Sequence, residues 1–289
     1  MLCVVGDLRE DIVTVFESDP ARGAATPASI HTRRGGAAAN IAAFAADAGK
    51  PTRFVGHVGS DHTGDRLVAQ LAEKGVETVV SQRGRTGRAV VLVGPGAQSS
   101  SLVDPGATSQ LIDIDHAVLD DVTLLHLPGF VFGEDPLATE VGELVGEALH
   151  RGIAISIGSQ SVAELETFGV EEFLSLIATV RPAVLFANRS EAALLAGPRA
   201  PVVGADITVI TSGARPTVLA WPNGASRSIE VEPVERPLDS TGVGDAFVAG
   251  FLIASMDRLT AATATKAGHL LAGQVLAHYG ADLVAKGSR

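Results

Sequence analysis

The chain has a single cysteine, Cys3, among its 289 residues. One thiol excludes an intramolecular disulfide framework, and without a CxxC or Cys/His spacing no structural zinc site can be read. That usage points to a reducing cytoplasm. Basic charge is scarce too: 22 Lys and Arg stand against 33 Asp and Glu, a formal net charge of -11. Nucleic-acid binding needs a basic footprint, so no nucleic-acid partner is expected. Long apolar runs are also missing. The first run stops at Asp7, too soon for a signal peptide or a spanning helix. Charges or glycines interrupt every later run before about 18 residues. The expectation is a soluble protein with no membrane partner. No GxxxxGK[ST] occurs, which excludes a P-loop, and no GxGxxG follows the first apolar run. That second absence weakens a nucleotide-cofactor oxidoreductase as a rival reading.

What is present is an alternation of short β-branched runs with Ala/Leu-rich stretches of helical period, the pattern of a parallel α/β sheet. Strands are predicted at Leu2 to Val5, Thr52 to Val58, Thr123 to Leu127, Ile153 to Ile157, Ala183 to Phe186, Ile207 to Ile210 and Thr217 to Ala220. Most are continuous apolar runs, as expected where both faces of a sheet are covered. Helices are predicted at Ala38 to Ala48, Thr63 to Lys74 and Pro136 to His150. In the last of these Asp135 is the expected cap, with Leu137, Val141, Leu144, Val145 and Leu149 forming one stripe. Residues 12–34 and 86–105 break the alternation with short strand-like pieces among Pro and Gly. They read as a β excursion from one large domain spanning 1–289, either a mobile lid or ordinary surface hairpins.

The strongest chemical signal is Asp239-Ser240-Thr241-Gly242-Val243-Gly244-Asp245-Ala246-Phe247, followed by an apolar helix expected over Ala246 to Ala254. A glycine turn opening into a helix presents backbone N–H groups and a positive helix end to an anion. Asp245 at the lip of such a site would repel a resting phosphate, which a base accepting the proton of an attacking hydroxyl explains. A helix cap with turn glycines is the other reading. In Arg34-Gly35-Gly36-Ala37-Ala38-Ala39-Asn40, the glycines allow close backbone approach to a ligand and Asn40 offers an amide. Taken alone, Asn188-Arg189-Ser190-Glu191 reads as a capping box at an ordinary helix start.

These motifs, in this order, resemble the signatures of the PfkB (ribokinase-like) carbohydrate kinase family. The likeness extends from Gly6 to Gly280-Ala281. It implies a doubly wound, mostly parallel sheet flanked by helices, with a small β-sheet lid. It implies ATP as phosphoryl donor and a small sugar or nucleoside as acceptor. By the same resemblance, Asp245 is the catalytic base and Gly242, Val243 and Gly244 form the anion hole. Asp11, Gly35, Gly36 and Asn40 bind the acceptor. Asn188 and Glu191 match an NxxE motif that positions Mg2+ through its waters, and Thr211 and Gly213 lie near the nucleotide phosphates. His269 falls on the adenine side, where a satisfied packing role is the alternative. Asp239 and Thr241 match a site for a monovalent cation, K+, and a homodimer is expected by analogy.

Departures from the family pattern bear on the acceptor. Arg9 stands where ribokinases proper often have a small or polar residue, and Ile155-Ser156-Ile157-Gly158 lacks the Asp or Asn of many sugar kinases. Gln98-Ser99-Ser100-Ser101 stands where relatives acting on sugar phosphates place an Arg. A neutral acceptor is therefore expected, with Arg85 and Arg88 the residues to watch for a phosphate. A sensor that keeps the fold without turnover is the non-enzymatic rival, and it has no need of Asp245 or Glu191.

Overall fold

The first apolar run forms a strand buried on both faces. All five residues of β1 (Leu2–Gly6) are buried, and they divide by parity. Leu2 and Val4 enter one core cluster, Cys3 and Val5 the other. A strand that is apolar on both sides needs cover on both, and the intervening helices supply it. The computed structural model describes residues 1–289 apart from 21, 96–98, 160, 236, 278–280 and 282–289.

After β1 come β2 (Arg9–Val15), β3 (Ser29–Gly35), α1 (Ala37–Asp47), β4 (Thr52–Val58), α2 (His62–Glu73), β5 (Glu77–Gln82), β6 (Arg88–Val93) and β7 (Ser99–Asp104). The chain continues through β8 (Leu124–Pro128), α3 (Leu137–His150), β9 (Ala154–Gly158), α4 (Val162–Phe168), α5 (Val170–Val180), β10 (Val184–Asn188) and α6 (Arg189–Leu195). It ends with β11 (Thr208–Ser212), β12 (Arg215–Ala220), β13 (Ser226–Ile229), α7 (Val243–Met256) and α8 (Ala261–Val275).

Nine strands form one sheet in the order β13-β12-β11-β10-β9-β8-β1-β4-β5. Neighbours from β11 to β5 run parallel, and β12 and β13 close one edge antiparallel. The chain builds outward from β1 to β4 and β5, then starts again at β8 and builds the other way. Helices α1, α2, α7 and α8 contribute to the core cluster on the Leu2 side, and α3, α4, α5 and α6 to the cluster on the Cys3 side. This is the doubly wound fold the motifs imply.

The second sheet has the order β3-β2-β6-β7. It buries Val13, Ala89, Val91 and Val93, whereas every residue of β7 is exposed. The excursion starts at Arg9 rather than at 12, because Arg9, Glu10 and Asp11 already pair with Gly35, Arg34 and Arg33. Helix α3 starts at Leu137 with Pro136 at its cap, and Asp135 Oδ1 accepts from Thr139 N (3.2 Å) and Thr139 Oγ1 (2.6 Å). Leu149 leaves the expected stripe: it is 47% exposed, and Ala148 is buried in its place. Position 148 lies three and four residues beyond Val145 and Leu144, so the helical period puts it on their face. Gly96, Gln98 and Gly280 fall outside the described residues. Among the described residues no helix is long and apolar enough to cross a membrane.

Candidate active site

β1 lies between β4 and β8, where the winding changes direction, and the carboxyl ends of the parallel strands border a crevice there. The chain leaving β1 carries Asp7 and Arg9 into β2. Asp11 lies within β2 and is 3% exposed, so it is a strand residue rather than a solvated loop residue. Arg9 Nε donates to Asp11 Oδ1 (3.2 Å) and Arg9 Nη1 to Asp7 Oδ2 (2.5 Å). Asp7 Oδ1 in turn accepts from Ala38 N (3.1 Å) in the first turn of α1. Burial pushes the Asp11 carboxyl upward in pKa, against the pull of Arg9.

Gly35 and Gly36 are explained by this cluster. A Cβ on Gly35 would lie 2.1 Å from the Asp11 carboxyl, and one on Gly36, whose φ is +105°, would lie 2.4 Å from the Asp7 carbonyl oxygen. The close approach these glycines permit is therefore to the chain's own aspartates, where the motif suggested approach to a ligand.

From α1, Asn40 Nδ2 donates to Asp245 Oδ2 at 2.9 Å. Asn40 is 3% exposed, and its Oδ1 is buried without a hydrogen-bond partner. A buried acceptor left unpaired costs about 1–3 kcal/mol, which a hydroxyl donor placed beside Asp245 would offset. Burial raises the Asp245 carboxyl to about 7, opposed by the Asn40 bond, reinforced by the charge of Asp7, opposed by Arg9 and reinforced by Asp11. A carboxylate tuned to neutral pH is poised to exchange a proton.

Asp245 is reached through a tight turn. Gly242 is the N-cap of α7 with φ +77°, and a Cβ there would meet the Ala281 Cβ at 2.3 Å. The helix begins at Val243, three residues before the expected Ala246. Val243, Gly244 and Asp245 therefore make up its first turn, whose N–H groups have no partner within the helix. The Val243 N–H meets Ser240 O at 3.3 Å. Asp239 is fully buried, and its Oδ1 accepts from Thr241 N (2.9 Å) and Thr241 Oγ1 (2.7 Å), which shapes the turn.

A second group gathers at the ends of β10 and β11, where Asn188 and Thr211 are register partners, with Gly213 following at φ +59°. Asn188 and Glu191 form a capping box at the start of α6. Glu191 Oε2 accepts from Asn188 N (2.8 Å) and from Ser159 Oγ (2.5 Å), while Asn188 Nδ2 donates to Oε1. Burial raises the Glu191 pKa. The donors are all oxygen or amide, and among the described residues no group of three His, Cys, Asp or Glu is placed to hold a metal ion. Such a set fits a magnesium ion that keeps its waters rather than one caged by protein.

His269 is tied into packing. Its Nε2 bonds Thr217 Oγ1 at 2.8 Å, its ring lies 5.4 Å from that of Phe247, and burial lowers its pKa. Asp7 and Arg9 were not read as site residues from sequence, Arg9 standing out only as a departure from the family pattern, and Ser159 was not singled out. Positions 7, 9 and 11 alternate, and side chains two apart on an extended chain share a face. That period was the available signal for the first two.

The chain matches the pfkB family carbohydrate kinase over residues 1–286. An uncharacterized sugar kinase of Archaeoglobus fulgidus is 29% identical over 252 residues, 81% of this chain and 94% of that protein. Adenosine kinase from Sinorhizobium meliloti superposes with a TM-score of 0.85 at 21% identity, covering 98% of this chain and 96% of that one. An uncharacterized sugar kinase from Pyrococcus horikoshii, solved in complex with ATP, has a TM-score of 0.79 at 21% identity, covering 97% and 94%. At these identities the two structures attest the fold.

Proposed function

The chain belongs to the pfkB carbohydrate kinase family, whose members are phosphotransferases acting on a hydroxyl group, and we propose that it transfers the γ-phosphoryl group of ATP to a small neutral sugar or nucleoside. The observation that carries the reading is the Asn40–Asp245 pair: a base of pKa about 7 joined to a buried amide whose oxygen lacks a donor. An acceptor hydroxyl that donates to Asp245 gives it this proton as its oxygen attacks the γ-phosphorus, while a second hydroxyl of the acceptor donates to Asn40 Oδ1. The bond to the β-phosphate oxygen breaks and ADP leaves.

The Gly244 and Asp245 N–H groups in the first turn of α7 face the charge that develops on the transferring group, the Val243 N–H being taken by Ser240 O. Asp11 binds another hydroxyl of the acceptor, and the small sheet, which carries Asp11 on β2, closes over it to exclude water. Asn188 and Glu191 are the residues that would hold a magnesium ion, which would supply neutralisation of phosphate charge. Arg85 Nη2 donates to both carboxylate oxygens of Asp104 (3.0 and 2.8 Å), and Arg88 Nε pairs with Glu10 Oε2 (3.1 Å). Both guanidinium groups are exposed, and the ground for a neutral acceptor is the Ser99 to Ser101 stretch, which offers hydroxyls in place of a guanidinium.

The test is ADP release measured across pentoses, hexoses, nucleosides and their phosphorylated counterparts. Turnover should be confined to neutral acceptors. A preference for a sugar phosphate would overturn the acceptor class, and binding without ADP release from any of them would favour the sensor.

A further inference from the structure

The acceptor-side carboxylates come from different layers. Asp11 belongs to β2 of the small sheet, while Asp7 follows β1 of the main sheet and is fixed to α1 through Ala38 N at 3.1 Å. Neither carboxylate bonds the other. The link between them is Arg9, whose Nε reaches Asp11 and whose Nη1 reaches Asp7. The guanidinium is the side chain suited to this, because its planar fork presents donors in two fixed directions, whereas an ammonium is a single point charge.

We propose that Arg9 is a positioning residue for phosphoryl transfer: it bridges Asp7 and Asp11, and so fixes the acceptor-binding carboxylate of the small sheet against the helix that carries Asn40. Two buried carboxylates on one guanidinium, whose charges both act on Asp245, would repel one another without a cation among them. Arg9 supplies that cation, and its effect reaches Asp245, which it pulls towards the charged form against Asp7 and Asp11. Arg34, from β3, acts on Asp11 in the same sense. The charges of Asp7 and Asp11 hold the Arg9 guanidinium protonated despite its burial.

This role rests on the reading of Asp245 and Asp11 above, so the test needs one measurement independent of turnover. Arg9→Met and Arg9→Lys in the full chain are compared with wild type by steady-state kinetics, varying acceptor and ATP separately. The Asp245 carboxyl is titrated in parallel by 13C NMR, with its signal assigned by its loss in Asp245→Asn. Arg9→Met should lower kcat/KM for the acceptor by about 10- to 100-fold while leaving the KM for ATP within about twofold, and should move the Asp245 titration to higher pH.

Arg9→Lys should keep the titration near wild type, because the charge remains, yet restore only part of the acceptor kcat/KM, because one ammonium cannot span both carboxylates. An unmoved titration in Arg9→Met, or an equal loss for both substrates, would leave Arg9 a structural ion pair and overturn the proposal. If Arg9→Met does not fold, an acceptor kcat/KM of wild-type size in Arg9→Lys refutes it. If wild type turns over no acceptor, the kinase reading fails, while the titration still decides whether Arg9 acts on Asp245.

Discussion

Replacing Asp245 by Asn tests the catalytic assignment in two independent ways. The amide keeps an oxygen able to accept from Asn40 Nδ2, which donates to Asp245 Oδ2 at 2.9 Å in the wild type, so local geometry is retained while the base is lost. Losing a positioned base lowers kcat by about 100-fold or more, and ATP affinity should be nearly unchanged. In wild type, activity requires the ionised carboxylate. With a pKa of about 7, kcat/KM should be level above that pH and fall about tenfold for each unit below it. The residual activity of Asp245→Asn should lack this limb.

Stability moves the opposite way. The folded-state pKa is raised above its ordinary value of 3.8, so wild-type stability is greatest below about pH 4 and declines as pH rises to about 7. At about 1.4 kcal/mol per pH unit this bounds the effect near 4 kcal/mol, and the partial exposure of the residue reduces it to about 2 kcal/mol. Asp245→Asn should therefore melt about 4 °C above wild type at pH 8, with the gap closing towards pH 4. Turnover within threefold of wild type, or a melting gap that widens at acid pH, would refute the assignment.

Three further outcomes are expected. Asp11→Ala should reduce kcat/KM for the acceptor by roughly 10- to 150-fold with little change for ATP, the scale of one charge-assisted hydrogen bond; an unchanged value would remove Asp11 from the acceptor site. Glu191→Gln should weaken the response to magnesium more than the affinity for the acceptor, read from a magnesium titration of initial rates. A titration curve like that of wild type would leave Glu191 only its capping role. Leu144→Ala, at a fully buried position in α3, should cost about 2–5 kcal/mol in chemical denaturation without altering either KM, since α3 packs on the Cys3 face of the sheet.

The architecture was legible in the sequence because its determinants are local. Continuous apolar runs such as Leu2 to Val5 and Ala183 to Phe186 read as strands covered on both faces, and the turn glycines before Asp245 and the Asn188–Glu191 capping box are readable from their own neighbours. Ordering three such motifs along one chain then sufficed for the family and the chemistry. What no local pattern held is how segments distant in sequence share one set of charges. Asn40 meets Asp245 across 205 positions, and only that meeting leaves Asn40 Oδ1 buried without a donor. Gly35 and Gly36 looked like ligand-facing glycines until Asp11 and Asp7 occupied the space beside them. Arg9 read as a departure from pattern, and its part in the site appears only when β2 brings Asp11 alongside it and α1 anchors Asp7. Periodicity fixes which face a residue takes within its own element, whereas the pKa of Asp245 depends on burial and on charges supplied by other elements, which only the tertiary fold brings within range.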